Sequence, residues 1–394
     1  MSTKTTYIQT ELGLIPEDWE VKKLGECSSI SGDYGINAPA VKFSEDLPTY
    51  LRITDIDDDG NYSKENKVSV KDDNSESFIL DDEDIVFART GATVGKTYLH
   101  NKKENGDLVF AGFLIRFRTN FDILLPYYLK LYTNTDKYWN WVSVFSMRSG
   151  QPGINSKEYS NLKIPLPPLA EQKKIADCLS TWDNAIEKQN ALINALTDRK
   201  KALMQQLLTG KKRLPGFSGE WKEVKLGSLC KVTTGKLDAN AMVENGIYRF
   251  YTCAKDYYLI NEYKFDTEAL LISGNGANVG YIHYYKGKFN AYQRTYVLDK
   301  FKEDIFFIKY FLDYFLSQRI SNEKKEGNTP YIVLSTLTEM SIKLPSFEEQ
   351  TAIAAILATA DRELQLQKEK LAQLQTQKKG LMQVLLTGKK RLLN

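Results

Sequence analysis

The sequence predicts an α+β protein in which two globular domains of mixed β-sheet and short helices are separated by a long antiparallel two-helix coiled coil. Three observations carry this expectation. The sequence repeats itself, each copy ends in a long run of 4-3 apolar spacing, and each run follows a segment of short aromatic and β-branched stretches.

The repeat sets the domain count. A chain of 394 residues exceeds one ordinary domain and is long enough to bury two or three cores. Trp19, Lys23, Leu24 and Gly25 match Trp221, Lys225, Leu226 and Gly227 at an offset of 202. The offset falls to 185 where Gly91-Ala92 and Val94-Gly95 match Gly276-Ala277 and Val279-Gly280. It reaches 178 where Pro167, Glu171 and Gln172 match Pro345, Glu349 and Gln350, and from there it stays constant. TGKKRL stands unchanged at 209–214 and 387–392. The helical parts are held fixed while the globular parts diverge, the first being longer.

Each helical run carries the seam of a coiled coil. In the first copy the seam is Ile175, Leu179, Trp182, Ile186, Gln189, Ile193, Leu196, Lys200, Leu203 and Leu207. In the second it is Ile353, Leu357, Ala360, Leu364, Gln367, Leu371, Leu374, Lys378, Leu381 and Leu385. Even the polar interruptions coincide, Gln189 with Gln367 and Lys200 with Lys378, and such interruptions fix register at a cost in stability. Both helices follow a proline stop, IPLPPLAEQ at 164–172 and IKLPSFEEQ at 342–350, with Glu and Gln suited to the positive end of the helix dipole. Gly210 and Gly388 supply the C-terminal caps, giving each helix about 38 residues. For the two seams to meet, the second helix must run back along the first. The expected object is a dumbbell whose C-terminus returns near its N-terminus.

The globular parts read as α+β heads with twisted sheets. Runs such as 49–53, 85–87, 113–115 and 247–251 are strand-like, and helices are expected near 124–134 and 305–318. The segment 90–97 imitates a phosphate loop, but Thr90 stands where that motif needs glycine, no helix follows, and Tyr281 replaces Lys96 in the second copy. It reads better as strand, tight glycine loop and strand. Arg89, Thr90, Thr93 and Lys96 then project near its tip in one head, and Asn275 and Asn278 in the other. Such side chains can pair bidentately with guanine and adenine edges. A second polar loop, 147–155, stands just before the first helix and contributes Arg148, Ser149 and Gln151; its counterpart at 327–332 is less basic. Gln293 and Arg294 after the second glycine loop are further candidates, as are Arg52 and Arg249 in the strand-like runs. The tyrosine-rich run from Tyr248 to Tyr296 is read as β core before it is read as a base-stacking surface.

Material for catalysis is scarce. Only His100 and His283 are present, both read as surface or strand residues, and no adenine amino-methyltransferase tetrapeptide, helicase phosphate loop or nuclease cluster stands in the chain. Cys27, Cys178, Cys230 and Cys253 lie far apart, which suggests neither a zinc site nor a disulfide framework. No apolar stretch approaches a membrane span or a signal peptide, so a cytoplasmic location is expected. The 53 basic and 50 acidic side chains give a net charge of +3, with acids dominating from Glu45 to Asp84 and a basic stretch from Lys200 to Arg213.

In this order of variable head and repeated helix the chain resembles, over nearly its full length, the specificity subunit of type I restriction-modification enzymes. The resemblance rests on IPLPPLAEQKKIA at 164–176, KKALMQQLLTGKKRL at 200–214, KLPSFEEQTAIA at 343–354, and the head starts at Trp19 and Trp221. It implies a non-catalytic, DNA-binding subunit in which each head is a target recognition domain reading one half of a split, asymmetric site in double-stranded DNA. It implies that the helices set the gap and dock methyltransferase subunits, and that an endonuclease/translocase subunit joins the complex. S-adenosylmethionine, ATP and magnesium would belong to those partners, leaving this chain without cofactor or metal. The chain then divides into a first recognition domain (1–166), a first helix (167–209), a second recognition domain with its entry linker (210–344), a second helix (345–388) and a tail (389–394). A seam of 33 residues at ~1.5 Å each spans roughly 50 Å, or about 15 base pairs. The alternative from another class is a coiled-coil scaffold whose heads bind proteins.

Overall fold

The computed structural model describes residues 6–147, 150–323 and 331–392. The chain forms two compact units, one of Met1–Lys188 with Leu371–Asn394 and one of Gln189–Lys370. Each unit therefore contains one head and segments of both long helices, Leu169–Leu208 and Phe347–Leu385.

In the first unit the chain enters through a hairpin, Tyr7–Thr10 with Gly13–Pro16, and buries Trp19. Strand Glu20–Lys23 then pairs antiparallel with Lys163–Leu166, which leads into the first long helix. The main sheet has the order Ser28–Tyr34, Leu114–Thr119, Ile85–Ala88, Thr97–Leu99, all neighbours antiparallel. A second four-stranded sheet runs Leu108–Phe110, Thr49–Leu51, Val68–Val70, Ala40–Lys42. Alternation places Ile85, Phe87, Ile115 and Phe117 on one face of the main sheet, in one core with Tyr128, Leu129 and Tyr132 of helix Pro126–Tyr132 and with Ile175 and Leu179. Burying each such side chain contributes about 1.5–3 kcal/mol.

The second unit follows the same plan with fewer pieces. Lys222–Lys225 pairs with Ser341–Leu344 ahead of the second long helix. Its single six-stranded sheet runs Lys231–Thr234, Thr295–Asp299, Phe265–Ser273, Ile282–Ala291, Tyr248–Tyr251, Tyr258–Ile260. Helix Ile305–Glu323 shares its core with Leu270, Ile272 and Leu298. The ten-residue strand Ile282–Ala291 pairs antiparallel with Phe265–Ser273 and, near its end, parallel with Tyr248–Tyr251. In the first unit these two duties are split between Thr97–Leu99 and Leu108–Phe110 by the short helix Lys102–Asn105, which Asn101 caps. One sheet thereby becomes two, and this insertion accounts for part of the first head's extra length.

The helix segments are tied by polar contacts at matching repeat positions. In the second unit the amide of Gln189 donates to Oε1 of Gln367 at 2.8 Å, and Asp361 accepts from Lys200 and from Tyr310. In the first unit Asp183 accepts from Lys378 and from Tyr127. Ascending numbers on one helix meet descending numbers on the other, so the segments pack antiparallel within each unit. At the helix starts Glu171 is held by Arg391 through two bonds of 2.7 Å and accepts from the Trp19 indole at 3.0 Å. Glu349 is held likewise by Arg213 at 2.7 and 2.6 Å. Arg391 is thus pinned, its side chain 7% exposed. Gly210 and Gly388 take φ of +70° and +71°, the left-handed conformation that ends each long helix.

Two readings are narrowed by the structure. Of the surface and strand alternatives for His100 the surface one is excluded, since His100 is buried directly after strand Thr97–Leu99, with its Nδ1 facing the Tyr98 hydroxyl. Of the tyrosines from Tyr248 to Tyr296 only Tyr251 is buried in the sheet core, whereas Tyr257, Tyr258, Tyr263 and Tyr281 are exposed. The core on that face is closed by smaller and non-polar residues, Ala269, Leu271, Phe289, Ala291 and Val297.

Candidate nucleic-acid interface

In each unit three backbone segments meet at one end of the main sheet. In the first, strand Ile85–Ala88 runs into the turn Gly91–Thr93 and returns at Thr97. The N–H of Arg89 donates to the carbonyl of Phe113 (3.0 Å), while Ile154 N–H donates to the Arg89 carbonyl (2.9 Å) and Gly91 N–H to that of Pro152 (3.0 Å). In the second, Gly274 N–H donates to Arg294 (2.8 Å) and Ile332 N–H to Gly274 (2.8 Å). Thr90 bridges to Gly153, and Asn275 to Tyr331. The glycine loop and the loop before the helix are far apart in sequence, yet they form one surface joined by the same bonds in both units. Gly91 and Gly276 hold φ of +72° and +78°, a turn that a side chain would strain.

The side chains on this surface differ between the units. In the first, the Arg89 guanidinium lies 4.8 Å over the Tyr34 ring, a cation–π contact that orients it. Gln151 is exposed, with its amide against Gly91. Thr93 donates to the carbonyl of Thr90 and closes the turn at 3.3 Å. Lys96 is not offered at the tip as expected: it pairs with Asp58 at 2.6 Å, which holds that carboxyl below its ordinary pKa. The acidic loop beside the sheet captures it. Arg52 is likewise engaged, donating to both oxygens of Asp55 at 3.0 and 2.7 Å. Arg148 and Ser149 lie outside the described residues, as do residues 327–330 of the counterpart loop.

In the second unit most candidates are bonded to their own chain. The Asn275 side-chain oxygen accepts from the Cys253 thiol at 3.1 Å, and Asn278 donates to the Cys253 carbonyl at 3.0 Å. Gln293 donates to Asp238 at 2.8 Å. Arg249 is sandwiched between Tyr257 and Tyr285 at 4.3 and 4.5 Å and reaches the Tyr251 hydroxyl. His283 sits against the Ala254 carbonyl, and burial pulls its pKa below the ordinary imidazole value. Arg294 alone among these is exposed with no ion-pair partner among the described residues.

Sequence reasoning did not single out Phe113 or Tyr34, and placed Tyr331 in the counterpart loop without offering it as a contact; Phe113, Tyr34 and Tyr331 are 55%, 41% and 53% exposed on or beside this surface. Phe113 looked like the start of a strand. The usable signal was the repeat itself, because Phe113 falls where the second copy has Arg294. Among the described residues no group of three or more His, Cys, Asp or Glu side chains is placed to hold a metal ion, and no helix is long and apolar enough to cross a membrane.

Comparison with known proteins agrees with this two-part plan. The family described as the type I restriction modification DNA specificity domain matches twice, over residues 16–198 and 218–376. The EcoDI specificity subunit of Escherichia coli is 44% identical over 171 residues, a stretch covering 43% of this chain and 37% of that protein. The MjaVIII specificity subunit of Methanocaldococcus jannaschii is 28% identical over 427 aligned positions, covering 96% of this chain and 95% of that protein. The fold is similar to that of the type I restriction-modification S subunit from M. genitalium, with a TM-score of 0.59 at 17% identity over 93% of this chain and 96% of the other.

Proposed function

This chain belongs to the family of type I restriction-modification DNA specificity subunits, and from that premise we propose that its two units read the two halves of a split DNA site on behalf of a methyltransferase. One observation carries the proposal. The same three-segment platform is built twice with the same backbone bonds, yet the side chains it presents differ, Arg89, Phe113 and Gln151 in one unit and Asn275, Arg294 and Tyr331 in the other. A constant frame with variable tips is what two different base readings require. The long helices, with their matched polar positions, set the gap between the halves and dock methyltransferase subunits. The endonuclease/translocase subunit joins through that assembly, and S-adenosylmethionine, ATP and magnesium serve those partners.

The test is to assemble the chain with its methyltransferase subunits, methylate a randomised DNA library and sequence the products. A two-part asymmetric motif is expected. Replacing residues 13–160 by the head of another family member should change one part and leave the other. A motif without a gap, or a swap that changes both parts, would end this reading.

A further inference from the structure

We propose that Phe113 and Arg294 occupy the same reading position in the two units and give the half-sites different chemistry, Phe113 contacting the methyl group of a thymine and Arg294 pairing with the O6 and N7 of a guanine. The inference rests on the proposed reading of split DNA and names what each half is read by.

Backbone geometry establishes the equivalence. Phe113 stands one residue before strand Leu114–Thr119, whose Leu114 pairs with Ala88; Arg294 stands one residue before Thr295–Asp299, whose Thr295 pairs with Ser273. Each carbonyl accepts from the first residue beyond the partner strand, Arg89 or Gly274. In the residue before, Gly112 N–H donates to Ile36 at 2.8 Å and Gln293 N–H to Leu237 at 2.9 Å. In the residue after, Leu114 N–H donates to Ala111 and Thr295 N–H to Tyr292, both at 2.8 Å. The turn is one object carrying two different side chains.

Neither side chain serves its own fold. Phe113 is 55% exposed and takes no part in a core cluster, although an aromatic ring held on a tight turn gains nothing from water. Its carbonyl accepts from the Arg89 N–H, and Arg89, stacked on Tyr34, and the exposed Gln151 belong to the same platform. Arg294 is exposed beside Gln293, whose amide is held by Asp238, and its guanidinium has no ion-pair partner among the described residues. A guanidinium fork matches the two acceptors guanine shows in the major groove, and an apolar side chain matches the methyl that distinguishes thymine there.

The test uses the chain assembled with its methyltransferase subunits and initial methylation rates at limiting DNA. Once the two-part motif is known, each thymine of the first part is replaced in turn by uracil, which lacks only the methyl. At one position the wild type should lose about three- to fivefold, and a Phe113→Ala complex should be indifferent to the same change. Arg294→Ala should lose about tenfold or more and relax one guanine of the second part. Arg294→Lys, which keeps the charge but not the fork, should not restore it, and 7-deazaguanine at that position should hurt only the wild type. Uracil tolerated at every position, or Arg294→Ala weakening all sequences equally as a phosphate contact would, would overturn the inference. If the wild type shows a two-part motif that Phe113→Ala leaves intact, the inference falls alone. If no two-part motif exists, the reading it rests on falls first.

Discussion

Glu171 is 4% exposed, and its burial is compensated by three donors from Arg391 and Trp19 and a longer one from the Leu392 N–H. Removing one partner of such a buried pair costs about 3–5 kcal/mol, so Glu171→Ala and Arg391→Ala should each lower the urea midpoint strongly, and the double variant little further. Arg213 is 28% exposed, so Arg213→Ala should cost less than Arg391→Ala in the same melts. Lys130 offers a test with pH. Its side chain is buried, Nζ donates to the carbonyls of Gly60 and Thr97 at 3.0 and 2.9 Å, and burial lowers its pKa from 10.5 to about 8. The unfolded chain then holds the proton more tightly than the folded one, so the burial penalty is full below pH 8 and fades as pH rises toward 10.5. Relative to a Lys130→Met variant, the wild type should gain up to ~3 kcal/mol of stability across that window; parallel pH curves would refute this. At this scale the sequence was partly legible. Glu171 and Gln172 were recognised as helix-start residues, but their partners, Arg391 and the Leu125 N–H, are distant in sequence and no local pattern announces them.

Between elements, the seam residues were legible because periodicity is a local property, and Ile175, Leu179, Ile353 and Leu357 are all buried. What the polar interruptions bond to was not. Lys200 meets Asp361 and Lys378 meets Asp183, off the seam, and each aspartate also accepts from a tyrosine of a head helix. The Gln189 amide donates to both the side-chain oxygen and the carbonyl of Gln367. Replacing both by leucine should raise the thermal midpoint, since an apolar pair packs better than a buried amide pair, whereas Gln189→Leu alone should destabilise by about 1–3 kcal/mol by leaving Gln367 unsatisfied. Calorimetry on the two variants separates these outcomes. The division of one head into two sheets was also hidden, because a capped turn of helix at Lys102–Asn105 does not disturb the alternation of the strands on either side.

For the whole molecule, a net charge of +3 on 394 residues is slight for a protein that grips a polyanion. The isolated chain is therefore expected to bind DNA more weakly, and with a shallower dependence on salt, than the chain assembled with methyltransferase subunits. Filter binding from 50 to 200 mM salt checks it, and equal slopes would show that this chain supplies the phosphate grip itself. The twofold plan was legible in the shrinking offset, and the make-up of each unit from both repeats followed from the meeting of the two seams, but the individual bonds that tie each unit were not legible, because long-range pairing leaves no local trace. That make-up has a genetic consequence. The bonds are reciprocal: Lys200 of the first repeat holds Asp361 of the second, Lys378 of the second holds Asp183 of the first, and Arg213 with Glu349 is answered by Arg391 with Glu171. Reciprocity is the contact rule of an isologous homodimer. A gene for one repeat would already encode both sides of every such bond, so joining two copies end to end calls for no new contact, and drift in either head leaves the shared bonds untouched.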